Sequence, residues 1–257
     1  MSEIMTVACS AAKEAGEFLK SNFGKISEIE RKKDKSLVTN LDREAEKMII
    51  DRIKEKFSDH GVIGEESGSQ TKDSDYVWII DPLDGTHNFI RNINIYGVSI
   101  GVAYKNELVA GVIYMPEEDE LYSAQRGSGA YKNGKKISTS DTADLSECSI
   151  SFDSGIKHLP KTMLRVLDHL SGVVFNIRMF GSSARLLSYV AEGKIDLAVE
   201  FHDRPWDFAG GVVIIEEAGG KTISLKGKPL TCENIGYIAS NEHVFDAVKK
   251  IVFDNIR

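Results

Sequence analysis

The sequence predicts an α+β fold in the first part of the chain and an α/β arrangement in the second. Apolar residues recur every three or four positions over residues 3–22 and 38–57, as in amphipathic helices. Residues 61–137 hold short runs rich in Val, Ile and Tyr, separated by Gly, Asn or Pro, as in antiparallel hairpins. Strand-like and helix-like segments then alternate, as in an α/β layer.

In the first part, Thr39 or Asn40 is the expected N-cap of the second helix. The charged stretch between the two helices, residues 24–36, has no apolar face and predicts a loop. Strands are predicted at residues 61–64, 76–81, 96–116 and 120–137, with turns at Asn106 and Asn133-Gly134.

In the second part, the predicted strands are 148–152, 173–179, 196–201 and 235–240. The predicted helices are 160–170, 182–193, 205–219 and 242–256. No low-complexity tract or linker separates the two parts. We therefore expect lobes 1–140 and 141–257 to form one unit around a shared cleft.

Composition excludes several classes of function. The net charge of −7 argues against general affinity for nucleic acid, which requires a basic face. Three cysteines lack the spacing of a zinc or redox motif. No apolar run reaches the ~20 residues that cross a bilayer, and acids occupy the N-terminal segment where a signal peptide would be basic. We expect a cytoplasmic protein without membrane or nucleic-acid partners.

Acidic residues form three groups, each at the end of an apolar run or the start of a helix. Glu65 and Glu66 lie in "GEES", Asp81 and Asp84 in "DPLDGT", and Asp207 in "RPWDFAGG". Taken singly, such acids are usually surface residues or helix caps.

The Asp81 and Asp84 pair is harder to explain in that way. The run "VWII" predicts a buried strand that delivers Asp81 at its end, and Asp84 precedes a helical turn. Two ionised carboxylates held close together repel unless a cation or proton lies between them. A hard divalent metal such as Mg²⁺ meets that requirement. The backbone N–H groups of Gly85 and Thr86 are suited to receiving a phosphate.

Two other aspartate motifs fit poorly. Phosphatases of the haloacid dehalogenase type use D-x-D-x-[TV], in which the two acids are two residues apart. Here the spacing is three, with Pro82 between them, which argues against an aspartyl-phosphate intermediate. The EF-hand pattern is absent.

Four motifs occur in the order, and at about the separations, of a known family. They are "VTNLDREAE", "GEES", "WIIDPLDGTHNF" and "WDFAGGVVIIEEAGG". Together they resemble the inositol monophosphatase family, within the lithium-sensitive, magnesium-dependent sugar phosphatases. The resemblance covers nearly the whole chain and implies a layered α-β-α-β-α sandwich.

The resemblance also implies a role for each matching position. The ligands of the first metal are Glu65, Asp81 and the backbone carbonyl of Leu83, and those of the second are Asp81, Asp84 and Asp207. Glu65 also contributes to a weaker third site in this scheme. Thr86, with Glu65 or with Asp42, would orient and deprotonate the attacking water.

Substrate contacts are implied at a further set of positions: Asp84, Gly85, Thr86, Gly181, Ser182, Ser183 and Glu200, the last to an inositol hydroxyl. Arg178 and Arg185 differ from the pattern expected of dedicated animal inositol monophosphatases. Either arginine suits a second phosphate, as in fructose 1,6-bisphosphate, or is a surface or core residue.

The implied activity is hydrolysis of small phosphate monoesters with Mg²⁺, or Mn²⁺ in its place. Inositol 1-phosphate is the first candidate substrate, and fructose 1,6-bisphosphate is a further one. The alternatives are a phosphatase of 3′-phosphoadenosine 5′-phosphate or NADP, and an inactive regulatory protein of the same fold. A homodimer and inhibition by Li⁺ are also implied.

Overall fold

A computed structural model describes residues 2–25, 28–31, 37–70 and 74–256 of the chain. Within these residues the helices are α1 (Glu3–Asn22), α2 (Asn40–Lys56), α3 (Thr86–Ile90), α4 (Pro160–Ser171), α5 (Ser183–Ala191), α6 (Pro205–Glu217) and α7 (Phe245–Asn255). The strands are β1 (Ile29–Arg31), β2 (Leu37–Thr39), β3 (Gly61–Gly64), β4 (Gly68–Ser69), β5 (Tyr76–Asp84), β6 (Gly97–Tyr104), β7 (Glu107–Met115), β8 (Glu120–Gln125), β9 (Ala130–Lys132), β10 (Lys135–Lys136), β11 (Ser149–Phe152), β12 (Asn176–Arg178), β13 (Leu197–Glu200), β14 (Lys221–Ser224) and β15 (Tyr237–Ser240).

The first sheet has the strand order β10-β9-β8-β7-β6-β5-β3-β4. Its neighbouring strands are antiparallel except for β3 and β5, which are parallel. Helices α1 and α2 pack together and cover one face, and their apolar stripes join that face in one hydrophobic core. The amphipathic periodicity in the sequence therefore corresponds to real burial.

The second sheet has the order β12-β11-β13-β15-β14, with β11 parallel to both β12 and β13. Helices α5 and α6 lie between the two sheets in a second hydrophobic core. Helices α4 and α7 cover the outer face of the second sheet over a third core. The expected α-β-α-β-α layering is confirmed.

Helix α6 lies unusually close to the first sheet. A Cβ atom added at Gly210 would meet the Val112 carbonyl oxygen at 2.9 Å, and the Ile100 carbonyl oxygen at 3.1 Å. The glycine pair in "AGG" thus permits a close approach of helix and sheet. This packing fixes the N-terminal end of α6, which carries Asp207, against the strands that lead to the other acids.

Two predictions of local structure need correction. The stretch 24–36 is not wholly a loop, because β1 pairs antiparallel with β2 and places Ile29 opposite Thr39; residues 26–27 and 32–36 lie outside the described residues. The predicted strand 76–81 continues through Pro82 to Asp84. Strands β4 and β14 were not predicted.

The predicted helices are confirmed, and Thr39 is the N-cap of α2. The division into lobes at residue 140 remains a prediction, since α5 and α6 share a core with both sheets. Among the described helices, none is both long and apolar enough to cross a membrane.

Candidate metal centre and active site

Asp81 and Asp84 end strand β5, and an irregularity in the strand brings them together. Asp81 lies opposite Ser99 of β6, and Asp84 lies opposite Gly97, so three steps on β5 match two steps on β6. Residues three apart on a regular strand point to opposite faces. The extra residue restores a common side for the two carboxylates, and Pro82 is tolerated in it because a bulge requires no ladder N–H there.

The carboxylate of Asp84 is held by the N-terminal end of α5. It accepts hydrogen bonds from the backbone N–H of Ser183 at 3.0 Å and of Ala184 at 2.9 Å. The hydroxyl of Ser182, the N-cap of α5, also donates to it. The free N–H groups and the dipole of the helix favour negative charge at this position.

Asp207 approaches from α6. It occupies the third position of that helix and caps it, accepting a hydrogen bond from the backbone N–H of Arg204 at 2.6 Å. Carboxylate oxygens of Asp81, Asp84 and Asp207 all lie within 4.8 Å of one another. Residues far apart in the sequence thus form one cluster, which we call the aspartate cluster.

The aspartate cluster is electrostatically unfavourable when its three carboxylates are ionised and no cation is bound. The pKa of Asp81 lies well above its usual range because the carboxyl is buried and because Glu65, Asp84 and Asp207 lie nearby. The pKa of Asp207 is raised well above its usual range by burial, then by Asp203 and Glu65. No ion pair among the described residues involves the three aspartates. A bound cation would relieve this repulsion.

Glu65 follows β3 in a turn that a buried glutamate holds in place. Glu46 of α2 is 3% exposed and accepts hydrogen bonds from the backbone N–H groups of Glu66 at 2.9 Å and Ser67 at 2.8 Å. The Glu65 N–H donates to the Ile80 carbonyl at 3.1 Å. The turn therefore sits beside the end of β5, with Glu65 close enough to influence the pKa of Asp81.

Thr86 connects the aspartate cluster to Asp42. Its hydroxyl lies 3.1 Å from Asp42 Oδ1 and 3.0 Å from the Leu83 carbonyl oxygen. Asp42 is fully buried, and its Oδ2 accepts hydrogen bonds from the N–H of Thr39 at 2.8 Å and from its hydroxyl at 2.6 Å. The capping box of α2 therefore fixes the carboxylate that faces Thr86.

Gly85 occupies the sharp corner between β5 and α3. Its φ of 87° lies in the left-handed region, and a Cβ atom there would meet the Ile95 carbonyl oxygen at 2.8 Å. Only glycine adopts this corner without strain. The Asn88 side chain of α3 then donates to the Phe180 carbonyl at 2.8 Å and ties the corner to the segment that contains Gly181.

A cavity of about 200 Å³ opens beside Asp84 and Asp207. Its lining residues are Asp84, Phe152, Asp153, Ser154, Gly181, Ser182, Ser183, Leu186, Glu200, Asp203 and Asp207. The predicted substrate residues Gly181, Ser182, Ser183 and Glu200 are thus brought together in one wall. Glu200 ends β13, and Asp153 follows the parallel neighbour β11.

The two candidate arginines lie elsewhere. Arg185 is 1% exposed, and its guanidinium pairs with Glu118 at 2.6 Å and with Glu120 at 2.9 Å. Arg178 is exposed on β12, the edge strand of the second sheet, and does not line the cavity. The structure favours the prediction that Arg185 is a core residue and gives no support for a second-phosphate site at either arginine.

Sequence reasoning missed Glu46, Asp153 and Asp203 as residues of the site. Glu46 lies four positions after Asp42 on the buried face of α2. Two acids within an apolar stripe were the sequence pattern that could have indicated its role. Asp153 follows a strand as Asp81 ends one, and ligands gather at the carboxyl ends of strands. Asp203 had no comparable pattern, because it lies in the connection between β13 and α6 and only its contact with Ser183 of α5 assigns it to the site.

The protein has a layered α-β-α-β-α fold, and its acids gather where β5 and β13 end and where α5 and α6 begin. This combination is typical of the class of layered phosphatases. The model of the inositol monophosphatase family matches residues 1–252. The chain therefore belongs to the inositol monophosphatase family, and it is a phosphatase.

Relatives over nearly the full length support this assignment. The chain is 37% identical to the fructose-1,6-bisphosphatase/inositol-1-monophosphatase of Aquifex aeolicus, covering 98% of this chain and 96% of that protein. It is 36% identical to the Nus factor SuhB of Salmonella typhimurium, covering 96% and 95%. The crystal structure of extragenic suppressor protein suhB from Bartonella henselae superposes with a TM-score of 0.92 at 35% identity, covering 98% of each chain.

Proposed function

We propose that this protein hydrolyses small phosphate monoesters with Mg²⁺, and that a polyol monophosphate such as inositol 1-phosphate is its substrate. The observation that carries the proposal is the aspartate cluster. Three carboxylate oxygens within 4.8 Å, two of them from buried residues, form an oxygen donor set without a cationic partner among the described residues. Hard divalent cations such as Mg²⁺ prefer oxygen donors of this kind.

The donor set divides between two metal positions in our proposal. Glu65, Asp81 and the Leu83 carbonyl would hold one ion, and Asp81 with Asp84 and Asp207 would hold another. These four acids supply about four negative charges, which balance two divalent cations. When bound, the ions would neutralise the charge of the phosphate and lower the pKa of a nearby water. Mn²⁺ would occupy the same donors.

We propose that Thr86 orients the attacking water and that Asp42 accepts its proton. The Thr86 hydroxyl lies within hydrogen-bonding distance of Asp42 Oδ1, so it can accept from a water while donating to the carboxylate. The other oxygen of Asp42 is held by Thr39, which prevents rotation of the carboxylate. Glu65 is the alternative acceptor of the proton. The N–H groups of Gly85 and Thr86 would receive a phosphate oxygen at the start of the turn.

The metal requirement can be tested directly. Purified protein is assayed for phosphate release from p-nitrophenyl phosphate and inositol 1-phosphate with Mg²⁺, and again with EDTA. We expect release only with Mg²⁺, restored by Mg²⁺ added after EDTA, and inhibited by Li⁺. The Asp207→Asn variant should lose the Mg²⁺ response, whereas Asp75→Asn, at the opposite end of β5, should keep it. Equal release in EDTA would contradict the proposal.

Three other substrates or functions remain to be compared. Fructose 1,6-bisphosphate is suggested by the name of the Aquifex aeolicus relative. A nucleotide such as 3′-phosphoadenosine 5′-phosphate or NADP is less well supported, since the lining of the cavity offers one aromatic side chain, Phe152, among the described residues. An inactive regulatory role is least well supported, because the chain keeps all the acids of the proposed centre. Ranking kcat/KM across these substrates separates them.

We also propose a homodimer in the cytosol. Apolar side chains of α4 and of the segment around β12 are exposed, with Leu164 at 52%, Phe175 at 72% and Met179 at 44%. Leu164 and Met179 line one open depression, and exposed apolar groups brought together in this way favour association. The three cysteines are free thiols in the described residues, which fits a reducing compartment. Light scattering after size exclusion tests the dimer, which Phe175→Glu should weaken.

A further inference from the structure

The loop that carries Glu65 is the tip of a tight hairpin. Strands β3 and β4 pair antiparallel with Gly64 opposite Gly68, so the loop consists of residues 65–67 alone. Gly68 has a φ of 72°, in the left-handed region, as is common where a three-residue loop returns to its partner strand. Because the loop is short, the reach of Glu65 toward the aspartate cluster depends on where the loop lies.

Glu46 of α2 binds this loop with both oxygens of its carboxylate. Oε2 accepts a hydrogen bond from the backbone N–H of Glu66 at 2.9 Å, and Oε1 accepts one from that of Ser67 at 2.8 Å. The Glu46 side chain is buried, so water does not readily take the place of these bonds. Loss of either bond would leave a backbone donor of the loop without its partner.

Gly64 leaves the space that the carboxyl group of Glu46 occupies. A Cβ atom at Gly64 would lie 2.6 Å from Glu46 Cδ and 2.9 Å from its Oε1, closer than a real side chain allows. Unlike Gly68, Gly64 does not have a positive φ. Glycine is therefore needed at this position for the close approach of the Glu46 carboxylate to β3, and not for a turn.

A cavity of about 380 Å³ lies between α2 and the hairpin. Its lining residues are Arg43, Glu46, Lys47, Ile50, Glu66, Ser67 and Gln70. Because this side of the loop borders open space, packing alone does not hold the loop there. The two hydrogen bonds to Glu46 span this side and connect the loop to α2.

Helix α2 carries two of the acids that matter to the proposed reaction. Asp42 and Glu46 lie one turn apart on its buried face. Asp42 faces Thr86, whereas Glu46 holds the loop of Glu65. Glu65 is not among the described carboxylates that meet within 4.8 Å of one another, so it approaches the aspartate cluster from outside. One helix thus sets the position of the proposed proton acceptor relative to that of a proposed metal ligand.

We propose that Glu46 is a positioning residue, which holds the loop of residues 65–67 against α2 and so places Glu65 to bind Mg²⁺. This inference rests on the proposed function. Glu46 acts through the loop and not as a ligand, since both of its oxygens already accept backbone N–H groups. Replacing residues that hold metal ligands in this way typically weakens metal affinity by about 10–100-fold.

Titration calorimetry of the metal-free protein with Mg²⁺ alone measures this role. Glu46→Gln keeps the size of the side chain but offers one acceptor oxygen in place of two, so the Kd for Mg²⁺ should rise by about tenfold or more. The Mg²⁺ concentration for half-maximal phosphate release should rise by the same factor. Saturating Mg²⁺ should restore most of kcat, because Glu65 itself is unchanged. A residue with a purely structural role would not show this rescue by the metal.

Gly64→Ala is the second variant, because its methyl group displaces the same Glu46 carboxyl group from the side of β3. It should raise the Kd for Mg²⁺ in the same direction. Thermal unfolding verifies that each variant folds.

Glu217→Gln is the matched control. The Glu217 carboxylate also accepts two backbone N–H groups, from Gly127 at 2.9 Å and from Gly129 at 2.7 Å. These glycines lie in the turn between β8 and β9, which carries no residue of the proposed site. The control should keep the wild-type Kd for Mg²⁺ even where its unfolding temperature falls.

The outcomes separate this inference from the proposed function. A wild-type Kd in folded Glu46→Gln would overturn the inference alone, provided that the wild-type protein binds Mg²⁺ and hydrolyses a monoester. Where Glu46→Gln does not fold, Gly64→Ala decides in the same way. An equal loss of affinity in Glu217→Gln would also overturn the inference, because the effect would then follow stability and not the loop. A wild-type protein that neither binds Mg²⁺ nor releases phosphate would overturn the proposed function as well.

Discussion

Asp84 Oδ1 accepts a hydrogen bond from the backbone N–H of Ser183 at 3.0 Å, although the two residues are 99 positions apart. This contact joins the end of a strand in the first sheet to the start of a helix in the middle layer. The same serine donates to Asp203, so the aspartate cluster and the wall of the neighbouring cavity share one anchoring residue. A substitution at Asp84 or at Asp203 should therefore alter the geometry around the other residue.

Asp81→Asn should abolish Mg²⁺-dependent phosphate release while leaving the fold intact. The residue is buried and its pKa is raised, so its ionised form is unfavourable without a cation. The metal-free variant should unfold at the same or a higher temperature than the metal-free wild type. Activity and thermal unfolding in EDTA measure the two effects.

The wild-type protein, by contrast, should gain thermal stability on addition of Mg²⁺, by about 2.7 kcal/mol when the ion is at a hundred times its dissociation constant. Asp81→Asn should gain much less. Near-normal turnover by this variant would show that Asp81 is not a ligand.

Thr86→Ala should lower kcat by about a hundredfold or more, with a smaller change in KM, because positioned proton transfer contributes 10²–10⁴ in rate. Thr86→Ser keeps the hydroxyl that faces Asp42 and should recover much of the loss. Steady-state kinetics with inositol 1-phosphate compares the three proteins. Equal losses in the alanine and serine variants would point to a packing role for the Thr86 methyl group instead.

The metal-free protein should lose stability as the pH rises from about 4 toward 8. Burial and neighbouring acids raise the pKa of Asp81, Glu200 and Asp207 well above their usual range, and burial raises that of Asp203 to about 7. The folded state therefore holds more protons than the unfolded state in this range, so the free energy of unfolding falls with increasing pH. The stabilisation is complete below the unfolded pKa values near 4 and is lost as the pH passes the folded values.

Thermal unfolding in EDTA at pH 5.5 and pH 8 measures this dependence. Mg²⁺ should reduce it by stabilising the ionised acids at high pH. In Asp203→Asn the dependence should be weaker around pH 7. A metal-free protein that is more stable at pH 8 than at pH 5.5 would contradict the prediction.

Arg185→Met should destabilise the protein by about 3 kcal/mol, because it removes a fully buried cation from the ion pairs with Glu118 and Glu120 and leaves Glu120 with Lys132 alone. The guanidinium pairs with Glu118 and Glu120, and Glu120 is itself largely buried. Burial by itself would raise the pKa of Glu120, but hydrogen bonds from Lys132 and Arg185 lower it to about 2. Urea unfolding measures the loss, with the exposed Arg165→Met on α4 as the matched control. A large rise in KM for fructose 1,6-bisphosphate without a loss of stability would instead revive the substrate-binding role of Arg185.

Local patterns were sufficient for the elements and for part of the site. Helices α1 and α2 follow from apolar periodicity and the Thr39 cap, because those interactions are made by residues close in sequence. Asp81 and Asp84 were identifiable because they lie three residues apart at the end of a buried apolar run, although their common side depends on the irregular pairing of β5 with β6. The short strand β1 escaped prediction, because its three residues gain their stability from pairing with β2 rather than from a pattern of their own.

Local patterns predicted most helices and strands and the acids at the end of β5, and the resemblance of four motifs implied the family and its layered fold. Which acids meet, and which charges are already paired, became clear from the contacts between distant segments. Asp207 and Ser183 reach Asp84 because α5 and α6 both begin beside the end of β5. Asp203 joins this group through its hydrogen bond with Ser183. Arg185 was removed from the candidate substrate site in the same way, since its carboxylate partners come from another layer. Contacts between distant segments depend on packing, which no local pattern encodes.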